Sequence, residues 1–236
     1  AGASPLQAKS GHCPPPACGV SCVTFDQREN LSMTLQATAA IVLAAGCGLR
    51  MRGREPKAFL DLGGTPMFEH SLRCFRALPW IRQILLVVAA EEMQPCRQRF
   101  AASLQGVDLV AGGARRQDSV YNALQQVQPG CQWVMIHDAA RPLLRRQEVE
   151  ALGRAMVTGV SQGAILAVPC RDTLKKVKNA SHGEKGLSEI GDVSLVIDAT
   201  IDRENIYGSQ TPQIFDLNCY RAAIQQAIQQ KIDVTD

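Results

Sequence analysis

The chain has 236 residues, 46% of them hydrophobic, and a net charge of +3. That suits one α/β domain or two small ones with a real core; the charge is too mild to argue for nucleic acid, and no apolar run approaches the roughly 18 residues of a membrane span. Nine cysteines without a C-x-x-C pair make zinc a weak reading, and an odd count reads as reduced thiols in an intracellular compartment.

Residues 1–38 carry Ala, Ser, Pro and Cys, with a proline run at Pro14–Pro16 and no helical or strand period. They are expected to be a disordered leader, acid-poor until Asp26 and Glu29. A transit-peptide remnant without the usual arginines and a cloning or gene-model artefact both fit. A single catalytic domain over 39–236 is expected after it. It opens on Ala39–Ala45, a short unbroken apolar run that reads as a strand buried on both faces. Gly46-Cys47-Gly48 follows as a turn, with Arg50, Pro56 and Lys57 close behind. Backbone N–H groups at such a turn, with two cations nearby, cradle phosphates. A P-loop is excluded because Leu49-Arg50 stands where Lys-Ser/Thr is needed, and a dinucleotide fingerprint because Met51 stands where a small residue is needed. A bare glycine turn fits an ordinary βα connection equally well; the added cations favour the phosphate reading.

Pro66 opens a helix with a stripe at Met67, Phe68, Leu72, Phe75 and Leu78. Gln83–Ala90 reads as a strand, Glu91–Ala102 as a helix, Val107–Ala111 as a strand. Val120, Leu124 and Val127 mark a helix, Gln132–Ile136 a strand, Val149, Leu152 and Met156 a helix, and Gly163–Val168 a strand. This alternation predicts an α/β fold: a mostly parallel, Rossmann-like sheet with helices on both faces. Ligands sit at the C-terminal strand ends of such sheets, and the polar motifs fall at three of them, after Ala45, Ala111 and Ile136. Residues 171–210 break the alternation. Thr173–Val177 and Leu195–Thr200 read as a long projecting β-hairpin arm that needs something to pack on, a second subunit being the simplest partner. Asp216 is placed to cap a last helix with a stripe at Leu217, Tyr220, Ile224 and Ile228.

The stretch Leu43–Lys57, with the pattern L-A-A-G-x-G-x-R-M…P-K, resembles the sugar-nucleotidyltransferase superfamily. With Gly112-Gly113-Ala114-Arg115-Arg116-Gln117-Asp118-Ser119-Val120 and Ile136-His137-Asp138-Ala139-Ala140-Arg141-Pro142, the ordered set is similar to the 2-C-methyl-D-erythritol 4-phosphate cytidylyltransferase family over about residues 39–236. The resemblance implies transfer of CMP from CTP to a polyol phosphate in isoprenoid precursor biosynthesis, a homodimer joined through the arm, and no nucleic-acid or membrane partner. It implies a plastid stroma for a eukaryotic member and the cytoplasm for a bacterial one.

The nucleophile is already an anion, so such a site must hold two polyanions in line and neutralise them. By resemblance, Ala44, Ala45, Gly46 and Gly48 bind the nucleotide phosphates. Arg50 clamps the β- and γ-phosphates, and Lys57 stabilises charge at the α-phosphate. Gly112, Gly113, Ser119 and Ala139 complete the nucleotide site, with Arg116 supporting its wall. An unpaired Asp138 beside an anion implies a divalent cation, Mg²⁺; capping of the next turn is the plainer alternative for it. Arg141, with Thr173 and Arg203 from a neighbouring subunit, faces the polyol phosphate. His137 reads as a packing residue, Asp118 as a helix cap, and Gln210-Thr211-Pro212-Gln213 as structural. Family members continue past Val234-Thr235-Asp236 with a strand and an Ile-Lys segment, so a C-terminally truncated domain is expected. Ribitol-5-phosphate cytidylyltransferase stays open as a rival, disfavoured by Ala139-Ala140, as does a non-catalytic nucleotide-binding fragment.

Overall fold

Along one strand, Ala39 and Ile41 pack into one core while Ala40 and Val42 pack into another, and all four are fully buried. That two-sided burial is what a continuous apolar run predicts for a parallel strand. The computed structural model describes residues 20–23, 35–46, 55–158, 161–179 and 195–234. Among the described residues nine strands run β1 (Val20–Val23), β2 (Thr38–Leu43), β3 (Ile81–Val88), β4 (Asp108–Ala111), β5 (Trp133–Asp138), β6 (Gly163–Pro169), β7 (Leu174–Asn179), β8 (Leu195–Ile201) and β9 (Tyr207–Asp216). The helices are α1 (Met67–Arg76), α2 (Met93–Arg99), α3 (Arg116–Gln125), α4 (Arg146–Val157) and α5 (Leu217–Gln229).

Seven strands form one sheet in the order β1-β6-β9-β5-β2-β3-β4. All are parallel except β9, which runs antiparallel to β5 and β6. One core lies under α1, α2 and α4, through Phe68, Leu72, Phe75, Cys96, Val149 and Leu152. The other lies under α3 and α5, through Val120, Leu124, Leu217 and Ile224. The chain leaves β2 outward to β3 and β4, then returns to place β5 on the opposite side of β2. The strand order reverses there, so a ligand crevice opens at the C-terminal ends of β2 and β5.

Three differences from the sequence reading have physical reasons. Val20–Val23, inside the segment expected to be without structure, pairs parallel with Gly163–Leu166; a four-residue strand is too short to show a period. The other leader residues before 35 lie outside the described residues. The helix expected over 91–102 begins as a 3₁₀ turn at Ala90–Glu92 and stops at Arg99. There Phe100 turns into a cluster with Phe59 and Phe68, ring centroids 5.4 and 5.2 Å away. Finally, β9 lies in the middle of the sheet and had no counterpart in the sequence reading.

The expected arm is present as β7 and β8, a separate two-stranded antiparallel sheet with Leu174 opposite Ile201. Its connection, residues 180–194, lies outside the described residues. Asp216 caps α5 as expected, its carboxylate accepting the Cys219 N–H at 2.9 Å.

Candidate active site

The parallel register sets Leu43 beside Asp138 at the adjoining ends of β2 and β5. The Ala44 N–H donates to the Val87 carbonyl at 2.7 Å and the Ala139 N–H to the Leu43 carbonyl at 2.9 Å. Those two amides hold the sheet edge together. The N–H groups of Ala45 and Gly46 have no backbone acceptor among the described residues. Gly48 and Arg50 lie outside the described residues. Lys57 is half-buried on the 3₁₀ turn Lys57–Phe59 that follows Pro56. Phe59 anchors that turn on Phe68 and Phe100, and Arg99 pairs with Glu55 just before it.

The second wall follows β4. The Gly112 N–H donates to the Val88 carbonyl at 2.7 Å, and the Gly113 N–H to the Ser119 hydroxyl oxygen at 3.0 Å. Ser119 is buried, so its oxygen braces the turn and its proton remains for donation. A Cβ at Gly112 would lie 2.6 Å from the Ala45 Cβ, and one at Gly113 2.4 Å from the Asp118 Cβ. Gly112 therefore lies against Ala45 just past the end of β2, and only glycine permits the approach. Asp118, expected as a cap, sits at the third position of α3 and accepts the Arg115 N–H at 3.1 Å. The Arg115 guanidinium also bonds it and holds its carboxyl below the usual range.

Asp138, expected as the ligand of a divalent cation, lies between two guanidinium groups. Arg116 Nε and Nη2 each lie 3.3 Å from its Oδ1, and Arg141 Nε lies 3.7 Å from its Oδ2. The positive end of α3 delivers Arg116, and the tight turn after β5, where the Arg141 N–H bonds the Asp138 carbonyl at 3.0 Å, delivers Arg141. A metal is thus not needed to neutralise the carboxylate. The donor set still fits magnesium, which is bound through one or two carboxylates plus substrate phosphates and water; no group of three His, Cys, Asp or Glu that could hold a metal occurs among the described residues.

His137 is buried and holds its neighbours in place, as its strand position implies. Its Nε2 lies 3.0 Å from Ser71 Oγ and 3.2 Å from the Arg141 carbonyl, and its Nδ1 3.1 Å from Thr211 Oγ1. Burial pushes its pKa down to about 4, so it stays neutral at physiological pH. Gln210 and Thr211, read from the sequence as structural, bond the side chain of Arg141 and the backbone of Asp138. The Gln210 side-chain oxygen accepts from Arg141 Nη1, and the Thr211 hydroxyl accepts the Asp138 N–H at 3.2 Å. Beside them a cleft of about 550 Å³ is lined by His137, Arg141, Leu143, Arg145, Leu166 and Gln210, among others. Thr173 and Arg203 are exposed at the base of the arm. Arg203 bonds the Arg171 carbonyl, and no described contact joins either residue to Asp138 of its own chain.

A crevice at the reversal point of a mostly parallel sheet, with a carboxylate between guanidinium groups beside Gly112 packed on Ala45, is the arrangement of an anion-binding α/β protein. A family model for IspD, 2-C-methyl-D-erythritol 4-phosphate cytidylyltransferase, matches residues 38–236, and the chain belongs to that family. It is 36% identical over 207 residues to the Pseudomonas putida protein of that name, covering 86% of this chain and 81% of the relative. It is 33% identical to the one from Haemophilus influenzae over 197 residues, 84% of this chain and 79% of that one. The Francisella tularensis 2-C-methyl-D-erythritol 4-phosphate cytidylyltransferase (IspD) superposes with a TM-score of 0.64 at 27% identity, over 84% of this chain and 82% of its own. The Anaerococcus prevotii 4-diphosphocytidyl-2C-methyl-D-erythritol synthase shares the fold, with a TM-score of 0.67 at 24% identity, over 85% and 79% of the two chains.

Proposed function

We infer that the chain transfers the cytidylyl group of CTP to 2-C-methyl-D-erythritol 4-phosphate in isoprenoid precursor synthesis. The observation that carries this is family membership across residues 38–236. The strand-end crevice supports it, because it sets the Arg116 and Arg141 guanidinium groups around Asp138, a charge arrangement suited to holding phosphates. A phosphomonoester oxygen of the polyol attacks the α-phosphorus, the bond from that phosphorus to the bridging oxygen breaks, and pyrophosphate leaves. The amides of Ala45, Gly46 and Gly48, with Arg50, hold the triphosphate. Lys57 stabilises charge developing at the α-phosphorus. Gly112, Gly113 and the Ser119 proton read the cytosine edge, and Ala139 closes the floor. Asp138 holds a divalent cation, Mg²⁺, which supplies further neutralisation of the phosphates when bound.

Arg141 faces the polyol phosphate across the cleft beside Gln210 and Thr211. Thr173 and Arg203 serve the site of a second subunit. Support for a homodimer comes from the arm, where Val177, Leu195, Ile197 and Ile201 are exposed apolar side chains on a two-stranded sheet that is marginal by itself. Among the described residues no helix is long and apolar enough to cross a membrane.

Pyrophosphate release tests the reading directly, with CTP and Mg²⁺, with and without 2-C-methyl-D-erythritol 4-phosphate, beside ribitol 5-phosphate and the other nucleoside triphosphates. Release is expected only with CTP and the methylerythritol phosphate, and a drop of about 10²–10³ in kcat for Lys57→Ala. Measurable CTP binding without release from any pair would replace this reading with that of a nucleotide-binding protein.

A further inference from the structure

Arg116 opens α3 and Asp138 closes β5, and the two side chains meet in the crevice. Both Nε and Nη2 of Arg116 reach the same oxygen, Oδ1, at 3.3 Å. The side chains are 27% and 28% exposed, so water reaches the pair and can replace either partner's bonds. A cation held by the Asp138 carboxylate would approach within about 2.1 Å of an oxygen. That leaves it only a few ångströms from the guanidinium, where two positive centres repel.

We propose that Arg116 is a stand-in cation. It occupies the Asp138 carboxylate while the crevice holds no nucleotide, and yields it when a divalent cation arrives with the triphosphate. The proposal rests on the reading of Asp138 as the ligand of that cation. Three consequences follow from charge alone. The carboxylate keeps one orientation between turnovers, because a paired oxygen has fewer rotamers to explore. Free metal binds weakly, because it must displace or sit beside a guanidinium; a neighbouring like charge at this range is worth roughly tenfold in affinity for a dication in a wet site. An incoming triphosphate reverses the balance, since a guanidinium bonds phosphate oxygens as readily as a carboxylate, and nucleotide and metal each then strengthen the other's binding by the same factor. Arg116 acts on the cation through Asp138 and is a positioning residue.

Mn²⁺ titrated into the full chain without nucleotide, with free ion read by electron paramagnetic resonance, tests this apart from catalysis. Arg116→Gln is expected to bind Mn²⁺ about tenfold more tightly than the parent chain. Adding Asp138→Asn to that variant is expected to abolish the gain. An Mn²⁺ affinity in folded Arg116→Gln that is unchanged, weaker or undetectable overturns the proposal. Should Arg116→Gln fail to fold, Arg116→Met removes the charge and keeps a long apolar stem; it is expected to tighten Mn²⁺ about tenfold as well, and no tightening overturns the proposal there too. A gain that survives Asp138→Asn overturns instead the reading of Asp138 as the ligand. No CTP or polyol is present, so failure of the proposed turnover leaves this result unaffected.

Discussion

The Thr211 hydroxyl bridges His137 and Asp138, lying 3.1 Å from the imidazole Nδ1 and accepting the Asp138 N–H at 3.2 Å. Having accepted from the amide, the hydroxyl gives its proton to Nδ1, so the proton of the neutral ring sits on Nε2, toward Ser71 and the Arg141 carbonyl. One buried ring thereby ties α1, β5, the Arg141 turn and β9 together.

That placement has a pH signature. The pKa of His137 is lowered from 6.5 to about 4, first by burial and then by the Arg141 charge, against opposing pulls from Asp138 and from the backbone of Arg141 and Thr211. Above pH 6.5 the ring is neutral folded or unfolded. Below it the unfolded chain takes a proton that the folded chain refuses until about pH 4, so stability is lost as pH falls through that window, by at most about 3 kcal/mol. Urea midpoints of the parent and of His137→Phe, measured from pH 7.5 to pH 4, check this. The variant should be less stable at pH 7.5, because three polar partners lose the ring, and should show a shallower acid slope. Equal slopes would mean that another group governs acid unfolding.

The contact between Gly112 and Ala45 predicts a local suppressor. Gly112→Ala would bring a methyl 2.6 Å from Ala45 Cβ and 2.9 Å from Ser119 Oγ, pushing apart the chain segments after β2 and β4 that the proposed function assigns to the nucleotide. The expected effect is about 1–3 kcal/mol of lost stability and at least tenfold weaker CTP binding by calorimetry. Ala45→Gly removes the nearest atom, and the double variant should recover part of both losses. Additive effects would show that positions 112 and 45 do not meet in solution.

The polar core gives a further test away from the crevice. The Gln83 amide nitrogen donates to Asp108 at 2.7 Å and to the Gln126 carbonyl at 2.9 Å, while its oxygen accepts the Gln128 N–H at 2.8 Å. The buried side chain thus joins β3 to the edge strand β4 and to the end of α3. Gln83→Leu keeps the volume but removes all three bonds; because Asp108, Gln126 and Gln128 are exposed and can turn to water, it should cost about 1 kcal/mol. Hydrogen exchange at Leu109–Ala111 should accelerate more than exchange at β2, and thermal melting should fall with CTP affinity nearly unchanged.

The parallel half of the fold was legible because Ala39–Ala45, Gln83–Ala90 and Gln132–Ile136 are apolar on both faces, a pattern few other structures produce. The strand β9 was not. Its sequence, Tyr207-Gly-Ser-Gln-Thr-Pro-Gln-Ile-Phe-Asp216, holds a proline and few apolar residues, which argues against a central strand. The structure resolves the conflict with a bulge. Pairing with β6 jumps from Ser209–Ala167 to Gln213–Ile165, and pairing with β5 begins only at Gln213. Pro212 therefore owes no ladder bond, and Gln210 and Thr211 turn their side chains to Arg141 and Asp138. The same irregularity that hid the strand builds part of the site. Arg116 and Asp138 were legible as individual residues of their motifs, but their meeting depends on the reversal of strand order, which spacing along the chain does not report.

The arm supplies the last prediction. Ile197 is 64% and Leu195 56% exposed, and the proposed homodimer would cover them. On that proposal Ile197→Asp should turn a dimer into a monomer in light scattering, and with it remove activity, because Thr173 and Arg203 would no longer reach a neighbour's crevice. Subunit mixing separates that from simple misfolding. Lys57→Ala disables the crevice of its own chain and Arg203→Ala disables the crevice of its neighbour, so each homodimer is expected to be inactive. In a mixed dimer one crevice receives an intact Lys57 from its own chain and an intact Arg203 from the other. Equal mixing should give half mixed dimers with one working site each, restoring about a quarter of the parent activity. Activity that stays at the level of the separate variants after verified exchange would place Arg203 at the crevice of its own chain.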